Sequence, residues 1–178
     1  MADAQALVLV PGLLCTADLY AAQIAGLGGK AAITVADHTR HDSMAGIARA
    51  ILAAAPDRFA LAGLSMGGYI AFEIMRQAPE RVAKLALINT QARPDTPEAS
   101  ARRRGMMARA TSGEYRAVLD ELFAGFVHPS RGGDAGLQQL VHDMGEDVGV
   151  DGFIRQQMAV ISRPDSRPML AGIRCPTL

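Results

Sequence analysis

Short apolar runs alternate with amphipathic helical stripes along the first half of this chain. Four of the runs, at residues 6–10, 33–36, 59–62 and 84–88, predict strands, and a fifth strand is predicted to begin at Ile173. The first run is apolar almost without interruption, as in strands that are covered on both faces. Strands that alternate with helices are typical of a mostly parallel sheet with helices on both faces. The pattern therefore predicts the α/β class.

Two helices between these strands are marked by their ends. Ser43 is a candidate N-cap for an amphipathic helix that Pro56 ends. A second helix follows Leu64 and stops before Pro79.

The texture of the sequence changes after Thr90. Residues 91–167 are polar, rich in arginine and glycine, and contain three or four predicted helices, at 99–110, 113–126, 135–144 and 152–161. We interpret them as a helical insertion between the fourth and fifth strands. The domain prediction is a core at 1–90, the insertion at 91–167, and the start of the next core strand at 168–178, within which the chain ends.

Composition excludes several classes of protein. With 49% hydrophobic and 20% charged residues, the chain is globular, and its 18 basic and 18 acidic side chains argue against nucleic acid as a partner. No apolar run approaches the roughly 18 residues that span a membrane, and the acidic start, residues 1–3, disfavours a signal peptide. The two cysteines make no disulfide framework, which favours a cytoplasmic location. We expect no metal and no cofactor, because their sequence signatures are missing.

One segment carries recognisable chemistry. The sequence Gly63-Leu64-Ser65-Met66-Gly67 fits the pattern Gly-x-Ser-x-Gly, after a predicted strand and before a predicted helix. Glycines two residues either side of a serine let strand and helix approach closely, so that the turn presents the hydroxyl at a helix N-terminus. We interpret Ser65 as a nucleophile and Gly63 and Gly67 as the glycines of its turn; the alternative is an ordinary glycine-rich turn.

A second loop, Pro11-Gly12 and the two leucines after it, follows the first strand. Acyl transfer needs two backbone N–H groups aimed at an oxyanion. We expect one from Met66 and the other from Leu13, with Leu14 as the second choice; alternatively the loop only ends the strand. Candidates for lining an apolar pocket for the substrate are Leu14, Met106 and Met107, which core packing would explain equally well.

These motifs give the chain a resemblance to the α/β-hydrolase superfamily, in its branch of small bacterial esterase-like enzymes. The matching segments are residues 6–14, 62–68, 78–88 and 173–178. The resemblance implies that residues 91–167 form a cap over the active site. It also implies a catalytic order of serine, aspartate and histidine, with the last two after the strand that starts at Ile173. The chain therefore resembles a truncated member that lacks both.

The expected function is hydrolysis of a small carboxylic ester, lactone or thioester through an acyl-enzyme on Ser65. Two alternatives stay open: a C–C hydrolase or lyase of the same fold, and a non-catalytic binding protein that keeps the fold. The expected partner is a small ester-like molecule. The unfinished edge of the sheet also favours a homodimer or a strand-swapped assembly.

The four histidines and one aspartate are the candidate substitutes for the missing base and acid. We expect His38 and His41 to be solvent-exposed loop residues, and His128 and His142 to lie on the surface or between helices. Asp95 stands where some members of the family place their acid.

A run of arginines, Arg102 to Arg104, lies on a predicted helix of the insertion. It either holds an anionic group of the substrate or forms a solvated helix face.

Overall fold

A computed structural model describes residues 5–178, so the acidic start lies outside the described residues. Four parallel strands form one sheet in the order β2-β1-β3-β4, which confirms the predicted class. They are β1 (Gln5–Val10), β2 (Ala31–Val35), β3 (Phe59–Leu64) and β4 (Val82–Ile88).

Six helices connect or follow the strands: α1 (Ala21–Leu27), α2 (Met44–Ala54), α3 (Met66–Gln77), α4 (Pro97–Arg109), α5 (Tyr115–Phe126) and α6 (Ala135–Ile161). Ser43 caps α2 as predicted, because its side chain accepts a hydrogen bond from the Gly46 N–H. Helix α1 is absent from the sequence-based prediction. The two helices predicted at 135–144 and 152–161 both form; they are the two segments of α6, separated by non-helical backbone at Gly149, where φ is +68°.

Helices cover the two faces of the sheet unequally. On one face Val8, Leu61 and Leu85 pack under α2 and α3 in the largest hydrophobic core. On the other face a smaller cluster gathers around Leu9 and Tyr20, whose hydroxyl donates to the Val10 carbonyl. Both faces carry helices, but α1 with the turn before it covers only part of the second.

The predicted fifth strand begins later than Ile173. Residues Arg167–Gly172 form a 3₁₀ helix, and the Ile173 N–H closes that helix on the Leu170 carbonyl. The chain joins β4 only at its last three residues, in parallel, where the Leu85 N–H donates to the Pro176 carbonyl at 2.9 Å. The prediction was wrong because the Ile173 N–H is used within the 3₁₀ helix and Pro176 has no N–H to donate to a neighbouring strand.

The last three helices pack beside the carboxyl end of the sheet. Leu14, from the loop after β1, shares a hydrophobic cluster with Met106 of α4, Leu119 of α5 and Phe153 of α6. Further along α6, Val160 enters the main core. Helices α4–α6 therefore lie against the loops that follow β1 and β3. Within residues 5–178, no helix combines the length and the hydropathy needed to cross a membrane.

Candidate active site

Ser65 lies in a strained turn between β3 and α3. Its φ of +53° and ψ of −111° are rarely adopted by residues other than glycine. Two contacts with the end of β4 hold the turn: the Ser65 N–H donates to the Ile88 carbonyl at 2.9 Å, and the Thr90 hydroxyl donates to the Ser65 carbonyl at 2.8 Å. The backbone is therefore fixed from both sides of the serine.

Three glycines make this turn sterically feasible. A Cβ on Gly63 would lie 2.3 Å from the Gly67 carbonyl oxygen, and one on Gly67 would lie 2.0 Å from the Val10 carbonyl oxygen. A Cβ on Gly68 would lie 2.3 Å from Thr90 Oγ1. Sequence reasoning singled out the first two and missed Gly68, although a second consecutive glycine was the available signal.

The loop after β1 runs beside this turn. A Cβ on Gly12 would lie 3.7 Å from Ser65 Cβ. Leu14 adopts a φ of +61°, and its N–H donates to Gln156 Oε1 at 3.0 Å, so this second choice of donor is engaged elsewhere. The N–H groups of Leu13 and Met66, the two preferred donors, have no hydrogen-bond partner among residues 5–178.

Ser65 opens onto a cavity of about 310 Å³. Its floor is formed by Leu13, Ser65 and Met66. Its roof is formed by residues of α4 and α5, namely Arg102, Arg103, Met106, Glu121, Leu122, Gly125 and Phe126. Tyr69 and Val160 complete the wall.

Of the three residues suggested to line a substrate pocket, only Met106 borders this cavity. Leu14 and Met107 do not, and they pack in the hydrophobic cluster behind it. The hydrogen bond from the Leu14 N–H to Gln156 holds the loop in the conformation that buries Leu14 there.

The roof is braced by a buried acidic group. The side chain of Asp95 is 2% exposed and accepts hydrogen bonds from Arg103 Nε at 3.1 Å and from Arg163 Nη1 at 2.8 Å. The Arg163 guanidinium also stacks on the Tyr69 ring, 4.4 Å from its centroid. Burial alone would raise the pKa of Asp95, but the two arginines and the Ser100 hydroxyl together hold it below its usual range. The carboxylate of Asp95 is thus engaged in ion pairs with Arg103 and Arg163.

His38 is buried, contrary to the expectation of a solvent-exposed loop residue. It is 2% exposed, and its Nε2 lies 2.9 Å from the Gly12 carbonyl oxygen and 3.2 Å from Gln156 Nε2. Helix α6 packs over its loop, where Arg155 donates to the Thr39 carbonyl. Burial lowers the pKa of His38, against the opposing effects of Gly12 and Asp37. Long-range packing of this kind leaves no local signal in the sequence.

The other three histidines do not line the cavity either. His41 and His128 are exposed, and His142 is buried between α5 and α6 with its Nε2 2.9 Å from Asp120 Oδ1. Within the described part of the chain, no histidine borders the cavity that contains Ser65.

Solved structures with this fold are similar over almost the whole chain. An esterase from Thermogutta terrifontis, solved with malate bound, has a TM-score of 0.80 at 24% identity and covers 97% of this chain and 69% of its own. The enol-lactonase of Burkholderia xenovorans LB400 has a TM-score of 0.85 at 20% identity, covering 99% and 72%. An α/β hydrolase from a Medee basin deep-sea metagenome library has a TM-score of 0.73 at 14% identity, covering 99% and 70%.

These likenesses show that the chain has the α/β-hydrolase fold, as its motifs implied. No family model matches the sequence, and comparison with curated proteins finds no match.

Proposed function

We propose that this chain, with its α/β-hydrolase fold, carries the nucleophile and oxyanion site of a serine hydrolase that acts on carboxylic esters, lactones or thioesters. The main support is the strained turn at Ser65, which opens onto a cavity beside two backbone N–H groups without partners among residues 5–178. Strain of this kind persists only where the surroundings enforce it, and it is common at active sites.

The proposed reaction has two halves. Ser65 Oγ attacks the carbonyl carbon while a base takes its proton, and the N–H groups of Leu13 and Met66 hold the resulting oxyanion. The alcohol or thiol leaves with a proton, which yields an acyl-enzyme. Water then attacks this ester, and the acid and free serine are released. In a lactone, the leaving alcohol stays attached to the acyl chain.

The base and its orienting acid belong, in this proposal, to polypeptide outside residues 1–178. No histidine among the described residues borders the cavity, and Asp95 is occupied by two arginines. The fold neighbours are longer, since this chain matches only 69–72% of each. The esterase and the enol-lactonase among them support ester bonds as the target class.

The test is labelling of Ser65 by a fluorophosphonate, followed by intact mass, with and without added imidazole as an external base. We expect slow labelling that imidazole accelerates, no adduct in Ser65→Ala, and normal labelling in Ser112→Ala, which removes an exposed serine. Fast labelling without imidazole would assign the base to this chain. A failure to label Ser65 at any imidazole concentration would contradict the nucleophile.

A second candidate is a binding protein that keeps the fold without catalysis. None of the four histidines lines the described cavity, and this favours it. It predicts that Ser65→Ala binds small ligands as the unsubstituted chain does and that imidazole rescues no labelling.

A further inference from the structure

We propose that the substrate carries a carboxylate besides the bond that is cleaved, and that Arg102, assisted by Arg103, binds it at the roof of the cavity. This inference rests on the proposed function for its reaction, but the binding site can be tested separately. It narrows the proposed substrate class from esters in general to half-esters or lactones of small dicarboxylic acids.

The charges around the cavity do not cancel. Arg102, Arg103 and Glu121 line it. Arg103 pairs with Asp95, which also pairs with Arg163. Glu121 pairs with Arg109 at 2.6 Å, and Arg109 also pairs with Glu114 at 3.2 Å. The set therefore contains four arginines and three carboxylates. Asp95 is shared between two guanidinium groups, so it neutralises Arg103 only in part. The cavity that contains Ser65 has an excess of positive charge.

Arg102 is the cation in this set with no ionic partner. It forms no ion pair with any of residues 5–178, although it lines the cavity. A guanidinium presents several donors in one plane and binds a carboxylate through two parallel hydrogen bonds. A ligand carboxylate would supply the missing partner for Arg102.

The neighbouring arginine shows that this placement is specific. Arg104 is also exposed on α4 and also lacks an ion pair within the described part of the chain, but it does not border the cavity. Arg104 is the solvated face of α4, whereas Arg102 and Arg103 meet the cavity. Of the two alternatives for this run of arginines, the solvated helix face applies to Arg104, and binding of an anionic group applies to Arg102 and Arg103.

The size and the lining of the cavity restrict the kind of ligand further. A cavity of about 310 Å³ is at the small end of ligand pockets, which suits a short acyl chain. Met106, Leu122 and Phe126 provide apolar surface on the same roof as the arginines. A ligand with a reactive carbonyl at Ser65, a carboxylate at Arg102 and a few methylenes between them has a partner of matching chemistry for each of its parts in this lining.

The first experiment compares 4-nitrophenyl hydrogen glutarate with 4-nitrophenyl pentanoate, which have acyl chains of equal length and differ in the terminal carboxylate. Acylation of Ser65 is followed with imidazole present, by 4-nitrophenolate release and intact mass. We expect a preference for the glutarate ester that falls about tenfold in Arg102→Gln, the loss typical of a charge-assisted hydrogen bond. The matched control Arg104→Gln removes the same charge and should keep the preference.

The second experiment does not need acylation: calorimetric binding of glutarate to the unsubstituted chain and to Ser65→Ala, Arg102→Gln and Arg104→Gln. We expect weaker binding in Arg102→Gln alone. That result supports the inference even if no ester acylates Ser65, in which case only the proposed function fails. Equal binding by Arg102→Gln and Arg104→Gln, or no binding by the unsubstituted chain, overturns the inference and leaves the labelling result at Ser65 untouched.

Discussion

The floor and the roof of the cavity are held in place by different forces. The floor at Ser65 depends on close packing that admits only glycine at three positions: a Cβ would meet main-chain atoms at Gly63 and Gly67, and the Thr90 side chain at Gly68. The roof depends on side chains, above all on the two arginines that share Asp95. The difference teaches that the two sides of one cavity can be built independently: steric constraint fixes the floor, and charge pairing fixes the roof.

Gly67→Ala should have the largest effect, because it breaks the floor. The added methyl group would lie 2.0 Å from the Val10 carbonyl oxygen, which is main chain and cannot rotate away. We expect a loss of more than about 4 kcal/mol in the free energy of unfolding, measured by urea denaturation. Gly105→Ala, on exposed α4 with no atom within 4 Å of its added Cβ, should be neutral or stabilising. Equal stability of the two variants would contradict the steric account.

Asp95→Ala should be the most damaging change to the roof. It leaves Arg103 and the buried Arg163 without their shared carboxylate, and loss of one member of a buried ion pair costs about 3–5 kcal/mol. Urea denaturation measures the loss, with Asp165→Ala as control because its ion pair with Arg167 is exposed. If Asp95→Ala were as stable as the control, the roof would not depend on this carboxylate.

Gln156→Ala tests the hydrogen bond between helix α6 and the loop of the floor. It leaves the buried Leu14 N–H without an acceptor, which costs about 1–3 kcal/mol. We also expect slower imidazole-dependent labelling of Ser65, because the loop that carries Leu13 would lose its anchor. The control is Gln138→Ala, which removes a surface glutamine on the same helix. Unchanged labelling with reduced stability would show that Gln156 is structural only.

Acidification perturbs the roof more gently than substitution, because it removes a charge and keeps the side chain. The pKa of Asp95 is lower in the folded chain than in the unfolded one, where it has its ordinary value of about 3.8. Its contribution to stability is therefore complete above that value and is lost as the pH falls through the depressed pKa. Urea denaturation between pH 7 and pH 3 should show a steeper loss for the unsubstituted chain than for Asp95→Asn. Parallel curves would contradict this assignment.

The sequence predicted the floor better than the roof. The turn at Ser65 is local: Gly63, Ser65 and Gly67 lie within five consecutive residues, and the strand before them and the helix after them have clear periodicity. The sequence also predicted the parallel sheet, because each strand is a short apolar run.

The roof could not be predicted, because it depends on which face of α4 is turned toward α6. Spacing alone does not show that Arg103 faces Asp95 and Gln157 while Arg104 faces solvent. The burial of His38 under α6 is the same kind of long-range effect. Helix α1 was missed for a different reason: it has no fully buried residue, and so it shows no strong apolar stripe.

Two consecutive, fully buried glutamines on α6 have a consequence for how the molecule moves. Gln156 accepts from the Leu14 N–H of the floor loop, and Gln157 accepts from Arg103 Nη1 of the roof at 2.9 Å. A sideways shift of this part of α6 would therefore move the floor loop and the roof in the same direction and preserve the gap between them. Helix α6 therefore acts as a spacer between the floor loop at Leu14 and the roof at Arg103.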